Sequence, residues 1–127
     1  MPKKPNHSVR FLNLVDDAKT RINEISAEDV LRRFRKGEAM DIVDVREYRE
    51  YLLSHIGNAL HIGKGVIERD IEQHHRDLDK ELILYCGGGF RSALAADALQ
   101  RMGYTNVRSM AGGFRAWKEL GGPISLM

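Results

Sequence analysis

The one cysteine of the chain, Cys86, stands in Leu84-Tyr85-Cys86-Gly87-Gly88-Gly89-Phe90-Arg91-Ser92, where an apolar run ends, three glycines follow and a helix-compatible segment begins. Sulfur reacts as the thiolate, and a helix N-terminus beside an arginine favours that form. Successive glycines let the backbone curl so that several N–H groups converge on one point as an anion nest, and the positive end of the next helix adds to it. The pattern reads as a nucleophilic Cys86, with the N–H groups of Gly87, Gly88, Gly89 and Phe90 holding negative charge. Arg91 either draws an anionic substrate or ties the loop to a carboxylate of the scaffold. The competing reading is a buried packing cysteine beside a flexible turn. Three glycines and an arginine at one junction serve no packing need.

The elements that must position this loop follow from periodicity. Phe11, Leu14, Val15, Ala18 and Ile22 fall on one stripe and predict an amphipathic N-terminal helix that packs on the domain or pairs with a second copy. Ser26 is a good N-cap, with Asp29 three residues on, for a helix carrying Ala27, Val30, Leu31 and Phe34 and stopping at Gly37. A short strand is expected at 40–45, a brief helix around Tyr48, Tyr51 and Leu52, a second strand at 59–62, and a helix around Val66, Ile67 and Ile71. The run 81–86 is nearly all apolar, as in a central strand covered on both faces. A helix from about Ser92 then turns Leu94, Ala95, Ala98, Leu99 and Met102 inward. A strand at 106–110 and a last helix with Phe114, Trp117 and Leu120 complete the chain. Strands alternating with helices imply a mostly parallel sheet with helices on both faces. Ligands bind such sheets at the carboxyl ends of the strands, where Cys86 stands. Asp44 and Arg46 lie just past a strand at the same end and read as a supporting salt bridge or loop hydrogen bond.

The cysteine loop resembles the active-site loop of the rhodanese family of sulfurtransferases, in which the cysteine accepts a sulfane sulfur as a persulfide. Asp44-Val45-Arg46-Glu47 is similar to that family's Asp-x-Arg-Glu segment, and Glu50-Tyr51-Leu52-Leu53-Ser54-His55-Ile56-Gly57-Asn58-Ala59 to its Glu-Tyr-x-x-Gly-His-Ile-Pro-Gly-Ala segment. Met110-Ala111-Gly112-Gly113-Phe114-Arg115-Ala116-Trp117 with Gly122-Pro123 resembles its closing motif. The likeness runs in order over roughly residues 22 to 124. Ser54 and Asn58 stand where glycine is usual and Gly57 where proline is usual, which bears on one turn and leaves the cysteine loop intact.

The resemblance implies an α/β rhodanese-like fold with a central, mostly parallel five-stranded sheet over 22–127. Residues 1–21 form an amphipathic helical extension outside the family core. It implies sulfur transfer from thiosulfate or another persulfide donor to a thiol or cyanide-like acceptor, or to an acceptor protein, through a Cys86 persulfide. Gly87, Gly88, Gly89, Phe90 and Arg91 would bind substrate and persulfide, Asp44 and Arg46 would support them, and no cofactor or metal is implied. Related phosphatases of the cell-cycle dual-specificity kind place one residue more between Cys and Arg, a wider cradle for phosphate. Here only four residues, Gly87 to Phe90, intervene. A binding or regulatory module on the same fold, or a redox sensor built on the lone thiolate, are the alternatives. His55, between two elements, reads as a structural hydrogen-bonding residue. His61, His74 and His75 have no cysteine at metal-ligand spacing, and His74-His75 read as a solvent-facing helix end. Phe114 and Trp117 read as core.

Composition closes off other classes. With 127 residues, 43% hydrophobic and 30% charged, the chain is the length of one ordinary domain. A net charge of +2, from 20 Lys and Arg against 18 Asp and Glu, gives no ground for a nucleic-acid partner. The basic clusters Lys3-Lys4 and Arg32, Arg33, Arg35 and Lys36 read as solvated surface. No apolar run approaches the ~20 residues of a membrane span, and the opening segment lacks the apolar stretch of a signal peptide, so a cytoplasmic location is expected. One cysteine excludes an internal disulfide and a Cys-x-x-Cys pair.

Overall fold

The computed structural model describes residues 7–126; the first six residues of the expected extension, including Lys3 and Lys4, and Met127 lie outside them. Ser8 caps helix α1 (Val9–Lys19), its hydroxyl accepting the Phe11 N–H at 3.1 Å. Strand β1 (Asn23–Ser26) runs directly into α2 (Ala27–Arg35), and Ser26 caps that helix by accepting the Asp29 N–H at 3.0 Å. There follow β2 (Ile42–Asp44), α3 (Tyr48–Leu53), β3 (His55–Ile56), β4 (Leu60–His61) and α4 (Ile67–Asp70), which a 3-10 turn at Ile71–Gln73 extends. The chain continues with β5 (Leu82–Tyr85), α5 (Phe90–Arg101), β6 (Val107–Ala111), α6 (Gly113–Glu119) and β7 (Ile124–Ser125).

Five strands form one parallel sheet in the order β1-β6-β5-β2-β4, and β3 and β7 make a separate antiparallel pair. Strand β5 lies at the centre, and its side chains alternate between two cores. Ile83 and Tyr85 pack with Ile42, Val30 and Trp117 on the side of α2 and α6. Leu82, Leu84 and Cys86 pack with Val43, Ile67, Ala96 and Leu99 on the side of α4 and α5. A strand buried on both faces can carry no polar alternation, which is why 81–86 reads as a continuous apolar run. The chain leaves β2 towards β4 and leaves β5 towards β6, in opposite directions across the sheet. The switch point therefore lies between the carboxyl ends of β2 and β5, where Asp44 pairs with Tyr85, the residue before Cys86.

The structure departs from the sequence expectation at several places. Strand β1, Asn-Glu-Ile-Ser, has only Ile25 buried, so this edge strand carries no apolar pattern. Helix α1 ends at Lys19, and Ile22 lies beyond it; of the expected stripe only Val15 and Ala18 are buried, while Leu14 is 60% exposed. Helix α5 starts at Phe90, two residues early, and buries Ser92, Ala93, Ala95, Ala96 and Leu99, leaving Leu94, Ala98 and Met102 partly covered. His75 does not face water: it is 5% exposed, with Nδ1 2.8 Å from Asp41 Oδ2 and Nε2 2.9 Å from the Lys80 carbonyl. Those two partners supply the polar contacts that a solvent-facing ring would have taken from water. His74 is exposed. No helix among the described residues is long and apolar enough to cross a membrane.

Core position and exposed stripe differ in energy accordingly. Leu84→Ala, at a site with 0% exposure, should lower unfolding stability by about 2–5 kcal/mol. Leu14→Ala should change it by less than about 0.5 kcal/mol. Urea midpoints at constant m-value measure both, and equal losses would put Leu14 in the core.

Candidate active site

Cys86 follows the last residue of β5 and is 1% exposed. Its Sγ accepts the N–H of Gly89 at 3.1 Å and that of Ser92 at 3.3 Å, with Ser92 Oγ 3.5 Å away. Ser92 Oγ in turn lies 2.7 Å from Ser109 Oγ on β6, so the hydroxyl beside the sulfur is held from both sides. Gly89 serves as the N-cap of α5 with φ of 97°, and an added Cβ would sit 3.3 Å from the Gly112 nitrogen. The positive φ favours glycine there, and a side chain would also press on the Gly112 backbone. Of the amides expected to hold charge, Gly89 alone touches Sγ directly. Those of Gly87, Gly88 and Phe90, together with Arg91, have no protein acceptor among the described residues.

The opposite side of the loop is clamped by the start of α6. Phe114 N–H donates to the Cys86 carbonyl at 2.7 Å and Arg115 N–H to the Gly87 carbonyl at 3.1 Å. Both carbonyls are thereby engaged away from the sulfur. Gly113 makes this approach possible: with φ of 58°, a Cβ on it would lie 2.5 Å from the Cys86 oxygen and 2.7 Å from Gly87 backbone atoms.

Two ion pairs surround the loop. Arg91 donates from Nη1 to Glu50 Oε1 at 2.8 Å and from Nη2 to Glu50 Oε2 at 3.3 Å. Glu50 also closes the capping box of α3 by accepting the Glu47 N–H at 3.0 Å. Hydrogen bonding to Arg91 holds the Glu50 carboxyl below its ordinary range, against a smaller opposing effect of burial. Arg91 is held charged by the same pair. Asp44, fully buried, accepts from the Arg46 backbone N–H at 2.9 Å, from Arg46 Nη2 at 2.7 Å and from Tyr85 Oη at 2.8 Å. Arg46 Nη2 reaches on to the Ser54 carbonyl at 2.7 Å, and its guanidinium lies 4.4 Å from the centre of the Phe114 ring. Burial disfavours the charge on Arg46, and the Asp44 carboxylate outweighs it. Burial pushes the Tyr85 hydroxyl up, with the Asp44 charge adding to the effect, so it stays a donor.

An open cleft of about 860 Å³ lies over the loop, lined by Phe11, Phe90 and Phe114 and by the cations Arg46, Arg91, Arg115 and Lys118. Phe114 is thus both core, at 3% exposed, and cleft wall. His55 bonds through Nδ1 to the Tyr51 carbonyl at 2.9 Å and stacks on that ring, and His61 Nε2 lies 2.7 Å from the Arg46 carbonyl. Sequence reasoning missed Glu50, Ser92, Ser109 and the α6 amides. Glu50 was findable, since a half-buried arginine needs a carboxylate. The α6 amides carried no side-chain signal.

Glycine substitution separates strain from contact. Gly113→Ala should cost more stability than Gly37→Ala, which has φ of 77° but open space around it. The second pays only the backbone strain of about 1–3 kcal/mol. Equal losses in urea unfolding would show that the α6 start tolerates a methyl group. Glu50 supplies a pH signature. A carboxyl lowered in the folded state contributes stability that is present above its ordinary value of 4.5 and is lost as pH falls through the folded value. The melting temperature should therefore fall below pH 5, and Glu50→Gln should make that acid slope shallower.

The model of the rhodanese-like domain family matches residues 26–120. The chain is 36% identical over 77 residues to the thiosulfate sulfurtransferase GlpE of Coxiella burnetii, covering 61% of this chain and 70% of that protein. It is 32% identical over 103 residues to a sulfurtransferase of Allochromatium vinosum, covering 81% and 94%. It spans about half, 51%, of the Bacillus subtilis relative YrkF, to which it is 32% identical. Among solved structures, a Rhodopseudomonas palustris protein of unknown function, described as a possible tyrosine phosphatase, superimposes with a TM-score of 0.79 at 31% identity, covering 98% of this chain and 99% of that one. The five-stranded parallel sheet, the cysteine loop at its switch point and the match over most of its length make this chain a member of the rhodanese-like domain family.

Proposed function

We propose that the protein is a sulfurtransferase in which Cys86 takes a sulfane sulfur from an anionic donor and hands it to a thiophilic acceptor. The observation that carries this reading is Sγ held by the Gly89 and Ser92 N–H groups inside a loop with four residues between Cys86 and Arg91. The relatives named as sulfurtransferases support it.

In the first half-reaction the Cys86 thiolate attacks the outer sulfur of the donor. A bond forms from Sγ to that sulfur, the donor's S–S bond breaks, and its electron pair leaves with sulfite when the donor is thiosulfate. The total charge is unchanged, and the new terminal sulfur is anionic. The acceptorless amides of Gly87, Gly88, Phe90 and Arg91 supply N–H donors to it without reorienting. An acceptor thiolate or cyanide then attacks the terminal sulfur, and the pair returns to Cys86, the two-step logic of covalent catalysis. Arg91 acts chiefly by anchoring the loop through Glu50, and its charge adds to the field around Cys86. Asp44 and Arg46 hold the neighbouring strand end. Residues 22–127 form the functional unit, with α1 as an extension docked on it, and a reducing cytoplasm would keep the lone Cys86 free.

The Rhodopseudomonas likeness favours one second reading, phosphate-ester hydrolysis through the same cysteine. A phosphoryl group presents three equatorial oxygens to be bound at once. A loop of four intervening residues offers a narrower ring, suited to a single sulfur atom.

Reduced protein mixed with thiosulfate should gain one sulfur atom in intact mass, release sulfite, and return to its starting mass with cyanide. Cys86→Ala should show none of these while melting within a few degrees of the parent. Hydrolysis of aryl phosphates faster than sulfur transfer would instead establish the phosphatase reading.

A further inference from the structure

The donor is not specified by the loop, whose glycines carry no side chains, so any selectivity must come from the walls of the cleft. One wall belongs to α1. Phe11 meets Phe90 edge-on, with ring centres 6.3 Å apart, and His7 meets the same Phe90 ring at 5.0 Å. These three rings and Leu12 line the cleft that contains Cys86. The wall is fixed in place. Val15 and Ala18 are buried, and α1 makes its principal packing contacts with α5, the helix that begins at the loop. Just past α1, Arg21 forms a two-pronged ion pair with Asp97 of α5, at 2.9 and 2.8 Å. Lys19 lies 5.4 Å from the Phe90 ring centre.

Across the cleft stand Phe114, Arg115 and Lys118. Arg46 and Arg91 are neutralised by Asp44 and Glu50, whereas Arg115 and Lys118 have no carboxylate partner among the described residues. The cleft thus combines aromatic walls, uncompensated positive charge and a volume of about 860 Å³. That volume is in the range of pockets that enclose organic ligands of drug size, far more than a small inorganic anion fills.

From this, and resting on the sulfur-transfer reading above, we propose that the protein takes an organic sulfur donor, an anion whose sulfane sulfur is carried on an apolar or aromatic body, and that Phe11 of α1 selects that body. The helix outside the family match is then a specificity element. The chemistry balances for a thiosulfonate anion, R–SO2–S⁻. The Cys86 thiolate bonds to the terminal sulfur, the donor S–S bond breaks, its electron pair leaves with the sulfinate R–SO2⁻, and Cys86 is left as the persulfide anion. Cyanide removes the outer sulfur as thiocyanate and restores the thiolate.

The test compares benzenethiosulfonate with methanethiosulfonate, reading thiocyanate formation with cyanide as acceptor and normalising each donor to its uncatalysed reaction. The wild-type protein should show a kcat/KM about tenfold higher for the aromatic donor, the size expected of one good aromatic contact. Phe11→Ala should remove most of that preference and change the methyl donor by less than about twofold. Leu14→Ala, on the exposed side of the same helix, should leave both unchanged. Phe11→Leu, which keeps side-chain bulk, replaces the alanine variant if that one does not fold, under the same criterion. No preference in the wild type, or an equal loss on both donors in the Phe11 variants, would overturn the inference and leave sulfur transfer standing. No thiocyanate from either organic donor while thiosulfate still adds sulfur to Cys86 would likewise overturn the inference alone, whereas none from thiosulfate either would overturn the sulfur-transfer reading itself.

Discussion

Two backbone hydrogen bonds set the chemistry of this protein: Phe114 N–H to the Cys86 carbonyl and Arg115 N–H to the Gly87 carbonyl. A loop that leaves a strand has carbonyls and amides to satisfy, and the side on which each points decides whether it can hold an anion. By taking two carbonyls, the start of α6 frees the inner side of the loop for N–H groups. Each such bond contributes only about 1 kcal/mol net. Their importance is directional, because they choose among loop conformations that glycine makes nearly equal in energy. Gly113 and Gly89 are the steric conditions of this arrangement, since a side chain at either would press on backbone across the contact.

The rest of the fold holds the loop and α6 in register. Strand β5 delivers Cys86 and is covered on both faces by apolar side chains, so its position is insensitive to surface changes. Beside it, Asp44 joins Arg46 and Tyr85 in a buried network that reaches the Ser54 and Ile56 backbone. A buried ion pair of this kind adds little net stability, because desolvation offsets most of the attraction, but losing one partner strands a buried charge. Its effect here is to join the ends of β2 and β5 to the segment after α3. Glu50 performs a similar joining at half-burial, linking α3 to the loop through Arg91. The cleft is thus bounded by elements that are far apart in sequence and tied together by charge.

Helix α1 alters the character of that cleft. It adds Phe11 and Leu12 to the lining, and the Phe11 ring meets Phe90 edge-on.

By itself the sequence determined where the lone thiol stands, most of the alternation of strands and helices, and the class of the sheet, but not β1, β3 or β7. Cys86 is the one thiol of the chain, the glycines beside it leave the backbone free to curl around it, and an apolar run as long as 81–86 demands cover on both faces. The tertiary structure alone decided which donors face the sulfur, which residues anchor the loop, and what stands opposite it. Strand β1 was invisible because an edge strand with one inward residue has no period to read. His75 looked like a helix-end residue because its partners, Asp41 and the Lys80 carbonyl, meet it only when β2 and β5 are paired. The amides of Phe114 and Arg115 have no side-chain identity at all. Periodicity and residue type report what a segment can do locally; hydrogen-bond direction and the meeting of distant walls depend on where the chain returns, and that information exists only once the sheet is closed on both faces.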